Sequence, residues 1–240
     1  MSDIVIRQLT PDISIFSRPF ARFGFLPWGG RSTAIKLSNG HVWVLASTPL
    51  SEETKSTIDA MGEVKYIVSP DSLHHLFLAE FKKAYPEAKL IGVAPLVERK
   101  KAEGLTLDGA YGADPADTKY GFEDDISACH FPGHANSDVA FLHKPSKTLI
   151  EADLLFNLPA TEQYSKSKSS ASNFIANRLN PFSGLHKTLI GGVIKDKVTM
   201  TRDAKTVESW DFDRIIPCHG DVIETGGKKA WQSAYSKLLV

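Results

Sequence analysis

Four short apolar runs in this chain each lead to a side chain able to bind a metal, and this repetition constrains the fold more than any other feature. Val64-Lys65-Tyr66-Ile67-Val68 passes through Ser69-Pro70-Asp71-Ser72-Leu73 to His74 and His75. Cys129-His130-Phe131 runs into Pro132-Gly133-His134, Leu149-Ile150-Glu151-Ala152 into Asp153, and Ile215-Ile216-Pro217-Cys218 into His219. Runs of this length bounded by Pro and Gly read as strands. A histidine following Pro-Gly is held by a turn with little freedom. Polar side chains at buried strand ends need partners, and ends that converge at one sheet edge supply them to one another or to a shared ion.

The rest of the chain supports a layered α/β fold. Strands are expected over residues 4–6, 13–16, 32–37 and 42–46, the last two joined by Ser38-Asn39-Gly40, a hairpin signal. Ser51 followed by Glu52 and Glu53 reads as a helix cap with an acidic first turn, and Gly62 as its stop. The strand over 64–68 then precedes a helix over 73–85 that carries Leu76, Phe77, Phe81 and Ala84 on one face and stops at Pro86. A strand over 89–93 and a helix over 96–102 complete an alternating β/α half. From Ile126 the pattern becomes antiparallel, with strands over 126–131, 139–143 and 148–150 and a turn at Lys144-Pro145-Ser146-Lys147. A Ser- and Lys-rich loop over 160–172 leads to a helix through Phe174, Ile175 and Leu179; a helix over 203–209, a strand over 214–217 and a helix over 227–239 follow.

At 240 residues the chain is long enough for one compact domain spanning 1–240. Lys plus Arg and Asp plus Glu both total 28, so no cationic stripe argues for nucleic acid or an acidic membrane surface. No apolar run approaches a membrane span, and the N-terminus lacks a basic-then-apolar pattern, so a cytoplasmic protein acting on a small molecule is expected. Cys129 and Cys218 are too few for a disulfide framework and read as reduced core residues.

Imidazole and carboxylate donors suit zinc, iron or manganese. A metal with an open position lowers the pKa of its water toward neutrality, which makes hydrolysis the expected chemistry. Asp71 reads as the N-cap of a helix that starts at Ser72-Leu73, His130 as a strand residue rather than a ligand, and His41, His143 and His186 as surface or core residues. Phe20, Phe23, Phe25, Pro27 and Trp28 form an aromatic segment suited to an apolar substrate wall.

In the order and spacing of these motifs the chain resembles the metallo-β-lactamase superfamily. The family's His-x-His-x-Asp-His loop falls on the segment ending in His74-His75, its Pro-Gly-His turn on Pro132-Gly133-His134, its Gly-Asp-x-Leu-Phe segment on Ala152-Asp153-Leu154-Leu155-Phe156, and its final Pro-Gly-His-Gly on Pro217-Cys218-His219-Gly220. The resemblance implies a four-layer αβ/βα sandwich, two mixed β-sheets flanked by helices. It implies a metal site drawn from His75, His134, Asp153, His219 and His74.

The departures matter as much. Pro70 and Ser72 stand where the family has its first two histidines and His74 where it has aspartate; Ala46-Ser47-Thr48 lacks the family's early acidic residue. One divalent ion rather than two is therefore implied, zinc first, with iron or manganese as alternatives. The His-His pair followed by Ala84-Tyr85-Pro86 resembles a divergent branch of the superfamily. The expected activity is a metal-dependent hydrolase of an ester, lactone or thioester using metal-bound hydroxide. A non-catalytic binding protein that has lost part of the site and a mononuclear iron oxygenase are the alternatives.

Overall fold

The computed structural model describes residues 3–239. Its elements are β1 (Val5–Thr10), β2 (Ile13–Arg18), β3 (Ala21–Arg22), β4 (Leu26–Pro27), β5 (Gly30–Lys36), β6 (His41–Leu45), α1 (Glu52–Met61), β7 (Glu63–Val68), α2 (Leu78–Ala84), β8 (Lys89–Val93), α3 (Val97–Ala102) and β9 (Gly109–Tyr111). The second half adds β10 (Ile126–Phe131), β11 (Asp138–His143), β12 (Thr148–Glu151), α4 (Gly184–Gly192), α5 (Lys197–Ser209), β13 (Arg214–Pro217) and α6 (Gly227–Ala234).

Two mixed sheets stack. The larger runs β1-β2-β5-β6-β7-β8-β9, antiparallel as far as β6 and parallel from β6 to β9. The smaller runs β10-β11-β12-β13, with only the last pair parallel. Trp43, Phe141, Val139, Ile150 and Ile216 fill the space between them. On the far side of the smaller sheet, Phe131, Leu149, Ile215, Met200, Val207 and Trp231 form a second apolar layer with α5 and α6. The expected two-sheet sandwich flanked by helices is the observed architecture.

Local chemistry explains where elements begin. The Ser51 hydroxyl accepts from the Thr54 N–H and starts α1 as expected. The helix expected from residue 73 begins only at Leu78, because the Asp71 carboxylate takes the N–H groups of Leu73 and His74 and fixes a tight turn there. The helix expected through Phe174 is a single 3₁₀ turn, Ala176–Arg178: the Asn173 side chain caps it, and Leu179 turns away to accept from the Leu158 N–H. Asp196 caps α5 well before residue 203. Gly-containing α4, which the sequence did not announce, starts on Ser183.

One side chain ties the two sheets together at the edge that matters. Arg31, fully buried on β5, donates to the Pro217 and Gly220 carbonyls at 2.6 and 2.7 Å and to the Ser17 hydroxyl at 3.0 Å, and pairs with Glu162 at 3.4 Å. Burial pulls its pKa down while Glu162 opposes the shift. Gln163 completes the clamp, donating to the Cys218 carbonyl and accepting from the Gly220 N–H. Gly220 sits at φ +92°, and a Cβ there would meet the Asn157 carbonyl oxygen at 2.2 Å, so no other residue fits the turn.

Arg31→Met leaves two buried carbonyls unpaired and is expected to lower unfolding free energy by about 3 kcal/mol in urea titration. Arg31→Lys should recover only part, since an ammonium cannot reproduce the planar fork.

Candidate metal centre

His74, Asp153 and His219 meet where the loop after β7, the segment after β12 and the turn after β13 converge. One ligand atom from each lies within 4.8 Å of the others. His74 Nε2 is 3.1 Å from His219 Nε2, which is 3.3 Å from Asp153 Oδ1. His219 and Asp153 are buried, and the His74 side chain is only 10 % exposed.

Their outer partners assign the protons. His219 Nδ1 lies 2.6 Å from the Gly29 carbonyl, an acceptor only, so the ring proton sits on Nδ1 and Nε2 presents a lone pair. His74 Nδ1 lies 2.9 Å from the Asp71 carboxylate and must likewise be a donor. Asn136 Nδ2 donates to Asp153 Oδ2 at 2.5 Å, leaving Oδ1 free to face the histidines. Two imidazole lone pairs and a carboxylate oxygen thus point at one another, which is stable only with a cation between them. In the absence of metal that cation is a proton. Burial pulls His74 down, but Asp71 and Asp153 outweigh it and hold its pKa at about 9. Burial pushes Asp153 up, yet the His74 charge first and the neighbouring His219 ring second carry it below its ordinary value.

The set fits a metal ion. A tetrahedral ion with bonds of about 2.0–2.1 Å has ligand-to-ligand edges of roughly 3.3–3.4 Å, close to the two distances given. Each ligand has an orienting partner, the arrangement usual around metal-bound histidines. Two further carboxyl groups lie behind: Glu151, whose Oε2 accepts from the Leu154 and Leu155 N–H groups, and Asp138, which accepts from the Val139 and Asp153 N–H groups. Burial first, and neighbouring carboxylates second for Asp138, push both well above the ordinary carboxylate range.

Among the described residues the other candidates are not members of this cluster of three. His75 is buried in the field of Lys100, Arg99 and Glu103, with Nδ1 unpartnered. The Asp71-capped turn aims His74 inward, and adjacent side chains of a tight turn diverge, so the pair is split. His134 is buried near Asp153; its Nδ1 accepts from the Asn136 N–H at 3.2 Å, which puts the proton on Nε2, a buried atom without a partner. His130 bonds the Ser137 hydroxyl. His186 accepts from the Phe156 N–H, and burial lowers its pKa to about 4. Asn136, Gly29 and Gln163 carried no sequence signal; only the position of Asn136, two residues after His134, hinted at a role.

Aromatic rings enclose the group. Trp28, 7 % exposed, packs edge-on against His219 with centroids 6.0 Å apart, while Phe20 stacks on it at 6.2 Å. Trp28 is therefore packing, and Phe20 faces the opening. A cavity of about 170 Å³ leads from His74 and His219 to the surface past Phe20, Leu73 and Phe77.

Metal-free protein should lose stability as pH rises. The raised His74 pKa contributes fully below about 6.5, its unfolded value, and fades through about 9. Thermal melting across that range checks the direction, and Asp71→Asn should flatten the dependence while weakening metal binding by roughly 10- to 100-fold.

No family model matches the chain, and no curated protein matches it in sequence. Solved structures do. A metallo-β-lactamase from Pontibacter korlensis superposes with a TM-score of 0.63 at 10% identity, covering 98% of each chain. The metallo-β-lactamase FIM-1 from Pseudomonas aeruginosa, described in a mono-zinc form, gives 0.63 at 9% identity, covering 100% of this chain and 98% of its own. A flavoprotein from Thermotoga maritima gives 0.71 at 14% identity, covering 99% of this chain and 62% of its own. With its two mixed sheets, its flanking helices and a His-Asp-His group at their common edge, the chain has the metallo-β-lactamase fold.

Proposed function

We propose that this protein is a metal-dependent hydrolase of an ester, lactone or thioester, with one divalent ion held by His74, Asp153 and His219. The observation that carries this reading is the meeting of three orphaned acceptor atoms whose outer faces are all engaged. A bound ion would supply Lewis acidity and bring the pKa of water at the site toward neutrality. Asp71 and the Gly29 carbonyl hold the two imidazole protons on the far side, and Asn136 keeps Asp153 Oδ1 turned inward. Phe20 and Trp28 limit water to the side on which the cavity opens.

Two histidines and one carboxylate are also the donor set of mononuclear non-haem iron sites, which favours oxygen chemistry as the second reading.

Metal analysis of protein purified without chelators separates the two: about one zinc per chain supports the hydrolase, and iron supports the second reading. Asp153→Ala and His219→Ala should each lose most of the bound ion and lower hydrolysis of the best ester, lactone or thioester by at least about 100-fold. Unchanged metal content in both variants would remove the proposed site.

A further inference from the structure

The cavity over the His-Asp-His group gathers positive charge that no carboxylate among the described residues neutralises. Among the described residues Arg7, Arg31, Arg99, Arg202 and Arg214 form ion pairs with carboxylates, and Arg178 donates to the Phe174 carbonyl. Arg18 and Arg22 have no acidic partner among those residues, and both line this cavity. Among the described residues no Asp or Glu lines it. Arg18 ends β2 opposite Gly30, on the same face as Phe16, at the point where the apolar core gives way to the opening. Arg22 sits on the short β3–β4 hairpin with its guanidinium over the Phe23 ring, 5.4 Å from the centroid.

The remaining lining is apolar and uncovered. Phe20, Leu73 and Leu76 are 45, 41 and 73 % exposed, and all three face the same opening. Single exposed apolar side chains are ordinary, but several around one concave site beside unpaired guanidinium groups form a recognition surface. Guanidinium groups favour carboxylate and phosphate oxygens through paired N–H donors.

We propose that this cavity binds an amphiphilic anion, a carboxylate or phosphate on an apolar chain, with the anion on Arg18 and Arg22 and the chain against Phe20, Leu73 and Leu76. This names the substrate class of the hydrolase site proposed above. It rests on that reading for the reaction but not for binding.

Calorimetric titration with octanoate, octyl phosphate and n-octanol tests it, on metal-free and metal-loaded protein alike. Both anions, or the one that matches the true headgroup, should bind roughly tenfold to a hundredfold more tightly than n-octanol. Arg18→Gln combined with Arg22→Gln should erase that preference in both forms while leaving n-octanol binding and thermal melting unchanged; Arg18→Lys should keep part of it. Equal affinity for octanoate, octyl phosphate and n-octanol, no binding of any of them, or a preference untouched by the double variant would overturn the inference. An anion preference seen only with metal would also overturn it, since the ion itself would then hold the ligand. Arginine-dependent binding without hydrolysis of any anionic ester or thioester by metal-loaded protein would instead sink the hydrolase reading and leave this one standing. Metal-dependent hydrolysis of neutral esters together with equal affinity for octanoate, octyl phosphate and n-octanol would do the reverse.

Discussion

The turn that carries His219 is fixed by groups almost two hundred positions away in sequence, and the organisation of the site depends on that hold. The Gly29 carbonyl, at a sequence separation of 190, sets which nitrogen of His219 bears the proton. Arg31, two residues further on, grips the carbonyls on either side of the histidine. Buried arginines are costly to desolvate and stay charged, so this one must keep its acceptors, and the acceptors are the turn itself. Sheet-to-sheet attachment and ring orientation are therefore one arrangement. A shift of the turn would unpair the guanidinium, and loss of the guanidinium would free the turn.

The loop after β7 shows how a ligand set can be rebuilt on an unchanged frame. With Pro70 and Ser72 in place of imidazoles, the loop spends its polar groups on itself: the Ser69 hydroxyl donates to the Asp71 and His74 carbonyls, and the Ser72 N–H donates to the Asn136 carbonyl. Asp71 then does two jobs, capping the turn and orienting His74. The outcome is one inward imidazole where the resemblance would have implied several ligands, facing the Asp153 carboxylate, whose charge makes a central cation favourable.

Much of the fold was legible because its signals are local. The Asn-Gly hairpin, the Ser51 cap and the apolar runs ending in Pro or Gly each specify an element without reference to anything distant. The convergence of strand ends was legible too, since a buried Asp153 or His219 needs company. What escaped was decided through space. His75 reads as the better ligand by motif position, yet it ends among the charges of α3. Asn136, Gly29 and Gln163 act through contacts with segments far along the chain. The helix α4 was hidden because its glycines weaken the periodic signal. Arg18 and Arg22 gave no hint of their solitude, because whether a cation has a partner is a property of the packed surface.

The distance along the chain between Gly29 and His219 also bears on biosynthesis. Contacts of such separation form late, after the loop entropy between them has been overcome. A nascent chain emerges N-terminus first, so β5 exists long before the turn that it must grip. Until β13 and that turn have been made and have docked, Arg31 has no carbonyls to bind and His74 and Asp153 lack their third member. Assembly of the His-Asp-His group is thus a report that the segments around Gly29 and His219 have both reached their native places.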